Sequence, residues 1–158
     1  MKKTIIVCAM ALIFAACGGG NTDNAANTSE ETTEATAESE NPPYDPNRGE
    51  GKFHDVQIAA NLDQPMAAEG EKISEMKCLS CHKLSDERLV GPGWQGVTTR
   101  HQPEWIMNFM TNTDAMIDKD PKVQAMLEIC LVRMPNQSLS DEEARAILEY
   151  MRKNDGVK

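Results

Sequence analysis

The residues best placed to do chemistry are Cys78-Leu79-Ser80-Cys81-His82. This CxxCH pattern is the signature of c-type haem attachment, and the spacing has a mechanical reason. Two intervening residues let both thiols reach the two vinyl groups on one edge of a porphyrin, while the histidine after the second cysteine brings its imidazole to the iron. Two other chemistries also use paired cysteines. A thioredoxin-like redox pair calls for a βαβ setting, and no alternating or β-branched run precedes Cys78. A structural zinc site needs a second ligand pair, whereas His54, His101 and Cys130 lie singly along the chain.

A second axial ligand would come from farther along. Met134-Pro135-Asn136-Gln137 lies 52 residues after His82, just before a helix start. A thioether is a soft ligand that favours ferrous iron and raises the reduction potential relative to a second histidine. Most of the ten methionines read as gap-filling core or cofactor-wall residues: Met107 and Met110 fall on the apolar stretch from Trp105, and Met126 and Met151 on helical stripes. Met134 stands off any stripe, before a proline. His101 and His54 are the alternatives.

The chain from about Met66 onward resembles a small single-haem cytochrome c of class I. The residues that carry the likeness are Cys78, Cys81, His82, Met134 and Gly91-Pro92. The resemblance implies an all-α fold, about four helices around one covalently bound haem c, with thioethers at Cys78 and Cys81 and axial ligation by His82 and Met134. It also implies that the Pro92 carbonyl accepts the proton on the other nitrogen of His82, fixing the tautomer. The family usually has an aromatic where this chain has Ser74. The segments Gly91-Pro92-Gly93-Trp94, Pro103-Glu104-Trp105-Ile106-Met107 and Arg133-Met134-Pro135-Asn136-Gln137 are similar to small cytochromes found with nitrous oxide respiration.

These elements imply an electron carrier rather than an enzyme, because two filled axial positions leave no iron site open and no nucleophile and base pair is evident. The alternative is a haem sensor or small peroxidase from which Met134 is displaced. Redox partner proteins follow from either, and a monomer is expected. Nucleic acid is excluded by a formal charge of -9.

Residues 1–16 read as a signal peptide: Lys2 and Lys3, then an apolar run too short to span a bilayer. Phe14-Ala15-Ala16-Cys17 resembles the lipobox of bacterial lipoproteins, with Phe14 where leucine is usual, so Cys17 is the expected lipid attachment and membrane anchor. That places the protein in a bacterial cell envelope, its folded part facing the periplasm or outer side. Residues 17–52 read as the lipidated cysteine and a flexible acidic linker, and 53–158 as the cytochrome c domain. The 18–51 stretch carries net -7, leaving only -4 on the folded part. Its acidity is that of a solvated tether, with a reach on the order of 30 to 35 Å.

Four helices can be read from their caps. One runs from about Pro65 toward Cys78, with Met66, Ile73 and Met76 as apolar markers and Gly70 and Ser74 as a small-residue patch for a neighbouring helix. Pro103 opens the second. Asp120-Pro121 opens the third, with Val123, Met126, Leu127 and Cys130 on one stripe, so Cys130 is expected as a buried structural thiol. Ser140 with Glu143 is a capping box, with Leu139 and Ala144 as a staple, for the fourth.

Overall fold

The computed structural model describes residues 44–158; the leader, Cys17 and most of the expected tether lie outside the described residues. Among these residues there are six helices and no strand: α1 (Gln64–Lys77), α2 (Val97–Arg100), α3 (Pro103–Thr111), α4 (Thr113–Lys119), α5 (Pro121–Cys130) and α6 (Asp141–Asn154). The four helices read from caps are α1, α3, α5 and α6. None of the described helices is long and apolar enough to cross a membrane.

The frame is the crossing of α1 and α6. Asp63 caps α1, its carboxylate accepting from Met66 N–H at 3.0 Å, and Pro65 sits in the first turn, where its missing N–H costs nothing. Ser140 and Glu143 cap α6 reciprocally, Ser140 Oγ accepting from Glu143 N–H at 3.1 Å and Glu143 from Ser140 N–H at 2.9 Å. The helices touch at Gly70, where a Cβ would stand 1.9 Å from the Ala146 carbonyl oxygen. Ser74 is buried in the same contact, and Tyr150 of α6 is buried near Glu71 and Glu75, burial and then their charges raising its phenol pKa. Met76, expected as an apolar marker, is instead 75% exposed and lies at the edge of the cleft described below.

The segment before α1 is tied to α6 by one buried carboxylate. Glu149 accepts from Arg145 and Arg152 Nη1 at 2.6 Å each and from Asp63 N–H at 2.9 Å, while Arg152 Nη2 donates to Ala59 O at 2.6 Å. Burial alone would raise the Glu149 carboxyl, but these donors outweigh it and hold it below its ordinary value.

The expected domain start at residue 53 falls inside packed structure. Asn108 of α3, fully buried, accepts from Phe53 N–H at 2.9 Å and donates to Arg48 O at 3.0 Å and Phe53 O at 2.9 Å. Asp120 accepts from the Tyr44 hydroxyl, from Trp105 Nε1 at 2.8 Å, and from the N–H groups of Lys122 and Val123 that it caps. Residues 44–52 are polar and carry Pro and Gly, which makes them read as linker; what orders them is side chains some 60 to 76 positions away.

Asp120, like Glu149, is held below its ordinary value: burial pushes up, and the bonds from Tyr44, Trp105 and the two backbone groups prevail. A carboxylate whose folded-state pKa is depressed contributes stability above its unfolded pKa of about 4, and the contribution is lost as pH falls through the folded value. Thermal midpoints should therefore fall below about pH 4 on account of these carboxylates, adding to a decline that sets in below about pH 6.5 where burial keeps His101 neutral in the fold. In Asp120→Asn the midpoint should be lower at neutral pH and the acid decline shallower; an unchanged acid limb would remove Asp120 from the cause.

Candidate functional site

Cys78 is the C-cap of α1. Its N–H and that of Leu79 both reach back to Ser74 O, at 2.8 and 2.9 Å, and the chain then coils so that Cys81 N–H and His82 N–H both donate to Cys78 O at 3.0 Å. This knot turns Cys78, Cys81 and His82 toward one cleft. Its walls are apolar: Trp105, Ile106, Phe109 and Met110 of α3, Met126 of α5 and Met151 of α6. Burial pushes the Cys78 thiol up to about 11, the opposite of the depressed thiolate on which thioredoxin-type exchange depends.

His82 is fixed on one side by backbone. Its Nδ1 lies 2.8 Å from Pro92 O; a carbonyl only accepts, so Nδ1 carries the proton and Nε2 keeps its lone pair for a metal. Gly91 makes the approach possible, since a Cβ there would sit 2.4 Å from His82 Cε1. Gly91 N–H donates to Cys81 O at 2.8 Å, and Trp94 backs the imidazole at 5.6 Å between centroids. Burial lowers the His82 pKa, partly opposed by the Pro92 bond, which favours the neutral, ligating imidazole.

The methionines separate by position. Met107, Met110, Met116 and Met151 are buried. Met76, Met110, Met126 and Met151 touch the cleft from helices, whereas Met134 reaches it from the loop between α5 and α6. Leu131 turns the chain there, taking a left-handed φ of 61° as the C-cap of α5. Half-buried Met134 and His82 line the same cleft. His54 is exposed and is not among the lining residues.

Cys130 is a correction. Its stripe exists, but only Val123 of α5 is buried; Met126, Leu127 and Cys130 are half-covered and line a second lobe of the cleft beside Cys81 and His82. That face of α5 lines the cleft, with Met126 and Leu127 also packed against the edge of the core.

His101, an alternative to Met134 in the sequence, lines the cleft and stacks on Trp105 at 3.8 Å and 12°. Arg100 beside it also lines the cleft. The donor set fits a c-type haem: two thiols three residues apart, an imidazole with a free Nε2, a thioether from a loop, and apolar walls.

The family model described as cytochrome c matches residues 67–155. Among solved structures, cytochrome c from Rhodothermus marinus is 37% identical, with a TM-score of 0.64 over 66% of this chain and 90% of that one. An engineered form of that protein is 36% identical over the same shares, TM-score 0.64. The engineered form bound to a carbene intermediate is also 36% identical, with a TM-score of 0.61 and the same coverage. No curated protein matches.

Proposed function

The chain belongs to the cytochrome c family, whose members bind one covalent haem c and transfer electrons, and from that premise we propose that it is a membrane-anchored, single-haem carrier ligated by His82 and Met134. The haem supplies the one-electron ferric/ferrous couple. Cys78 and Cys81 would hold it by two thioethers, His82 would offer Nε2 because Pro92 O occupies Nδ1, and Met134 would supply a thioether sulfur as second ligand. The observation that carries this reading is that His82, its tautomer locked at 2.8 Å by Pro92 O, lines one cleft with Met134.

Ligands on both faces make the carrier reading stronger than that of a sensor or small peroxidase, which needs Met134 to leave. A redox titration separates them. A carrier gives a reversible one-electron transition and a ferrous spectrum indifferent to carbon monoxide; rapid conversion to a carbon monoxide adduct would favour the sensor.

Cys17 as lipid anchor supports a place in the cell envelope, where the acidic tether lets the folded part swing between respiratory partners, with a terminal reductase such as that for nitrous oxide as the acceptor class. In Cys17→Ser the protein should move to the soluble exported fraction with an unaltered haem spectrum. Continued membrane retention would remove the anchor from the reading.

A further inference from the structure

Pro92 has no N–H with which to fix itself, so its carbonyl stays on His82 Nδ1 only because the chain on either side is held. Within the loop, Gly91 N–H donates to Cys81 O at 2.8 Å and Trp94 N–H to Lys83 O at 2.9 Å. The remaining attachment comes from the end of α6, 57 to 70 positions away in sequence. On the limb entering the loop, Asn154 Nδ2 donates to Leu84 O at 2.9 Å. On the limb leaving it, the Asp155 carboxylate accepts from Gly96 N–H at 2.5 Å, from Thr98 N–H at 2.9 Å and from Thr98 Oγ1 at 2.6 Å. α2 has no capping side chain of its own at Gly96; Asp155 takes that place from another helix.

We propose that Asn154 and Asp155 are positioning residues for the axial histidine: they clamp both limbs of the 83–98 loop and so keep the Pro92 carbonyl on His82 Nδ1. The inference rests on the reading of His82 as an iron ligand. α1 and α6 meet at Gly70, against the Ala146 backbone; α1 ends in the Cys78 turn that begins the CxxCH knot, and α6 ends in this clamp. One helix pair thus sets both the thiols and the acceptor that orients the imidazole. Its two members are unequal. Asn154 makes one bond between neutral groups, whereas Asp155 offers a carboxylate to three donors, and hydrogen bonds to a charged acceptor are about twice as strong. Asp155 therefore carries most of the clamp. A firm bond from Nδ1–H makes the imidazole a better donor to iron and favours the ferric state, so slackening the loop should raise the reduction potential.

The test starts on the wild-type holoprotein, where covalent haem and a hyperfine-shifted His82 ring establish the ligand; their absence would sink that reading and this one with it. Asp155→Ala, Asn154→Ala and the milder Thr98→Val, which removes only a hydroxyl, are then compared with Ile147→Val, a core change in the same helix. The readouts are solvent exchange of the His82 Nδ1 proton by NMR and the midpoint potential, with the sulfur-to-iron charge-transfer band reporting on the Met134 side. Asp155→Ala should speed the exchange by roughly tenfold, the factor for losing one hydrogen bond to a charged group, and raise the potential while the band persists. Asn154→Ala and Thr98→Val should move both the same way by less, and Asp155→Asn, which keeps an acceptor oxygen, should recover part of the loss. Ile147→Val should melt earlier and leave both readouts unmoved. Wild-type exchange and potential in Asp155→Ala overturn the proposal, as they do in Asn154→Ala and Thr98→Val together if Asp155→Ala fails to assemble. Equal shifts in Ile147→Val overturn it as well, because the clamp would then contribute only general stability.

Discussion

Replacing Gly70 by alanine should lower the protein's stability by about 3 kcal/mol or more, a thermal shift on the order of 10 to 20 °C for a domain of this size. Alanine is the better helix former by about 1 kcal/mol, so on an isolated α1 the sign would be the reverse. The difference lies in what the added methyl meets. Its carbon would stand 1.9 Å from Ala146 O, 2.4 Å from Ala146 C and 2.9 Å from Ile147 N, all backbone atoms in the middle of α6, which cannot rotate aside as a side chain can. Relief requires the two helices to separate, uncovering Ile73, Ala144 and Ile147 in the common core. Denaturant melting of the holoprotein measures it, and a variant as stable as wild type would mean that the crossing is looser than this geometry.

Replacing both Cys78 and Cys81 by alanine should have the larger structural effect, because it removes a core component rather than a contact. The cleft walls are made of apolar side chains from α3, α5 and α6, and α5 has only Val123 buried by protein. Without a tethered porphyrin, that face of α5 has little to pack against. The variant should keep helical far-ultraviolet signal but lose fixed near-ultraviolet signal and cooperative melting. Mass spectrometry after acid-acetone extraction should find one haem on the wild-type chain and none on the variant. A sharply melting haem-free variant would show that the helices form a sufficient core by themselves.

What could be read from sequence was local. Pro65, Asp120-Pro121 and Ser140 with Glu143 are start signals contained within four residues, and each opens a helix in the structure. Gly70 could be picked out as a close approach because it pairs with Ser74 on one face. α4 was missed because Asn112 both ends α3 and begins α4 with no strong cap between them. The packing of residues 44–52 was missed because its causes, Asn108 and Asp120, are distant in sequence and polar. At the site, CxxCH and Gly91-Pro92 are contiguous signals, whereas the stack of His101 on Trp105 and the cofactor-facing stripe of α5 exist only once the helices are arranged.

The central claim, an iron held between His82 and Met134, is tested most directly by the near-red absorption of the ferric protein. Wild type should show the sulfur-to-iron charge-transfer band. Met134→Ala should keep its covalent haem, lose that band and fall in reduction potential as the soft ligand is removed, while Met126→Ala, a change in the cleft wall, should keep the band and lose only stability, by about 2 kcal/mol. A band that survives Met134→Ala, or that disappears with Met126→Ala instead, would contradict the assignment.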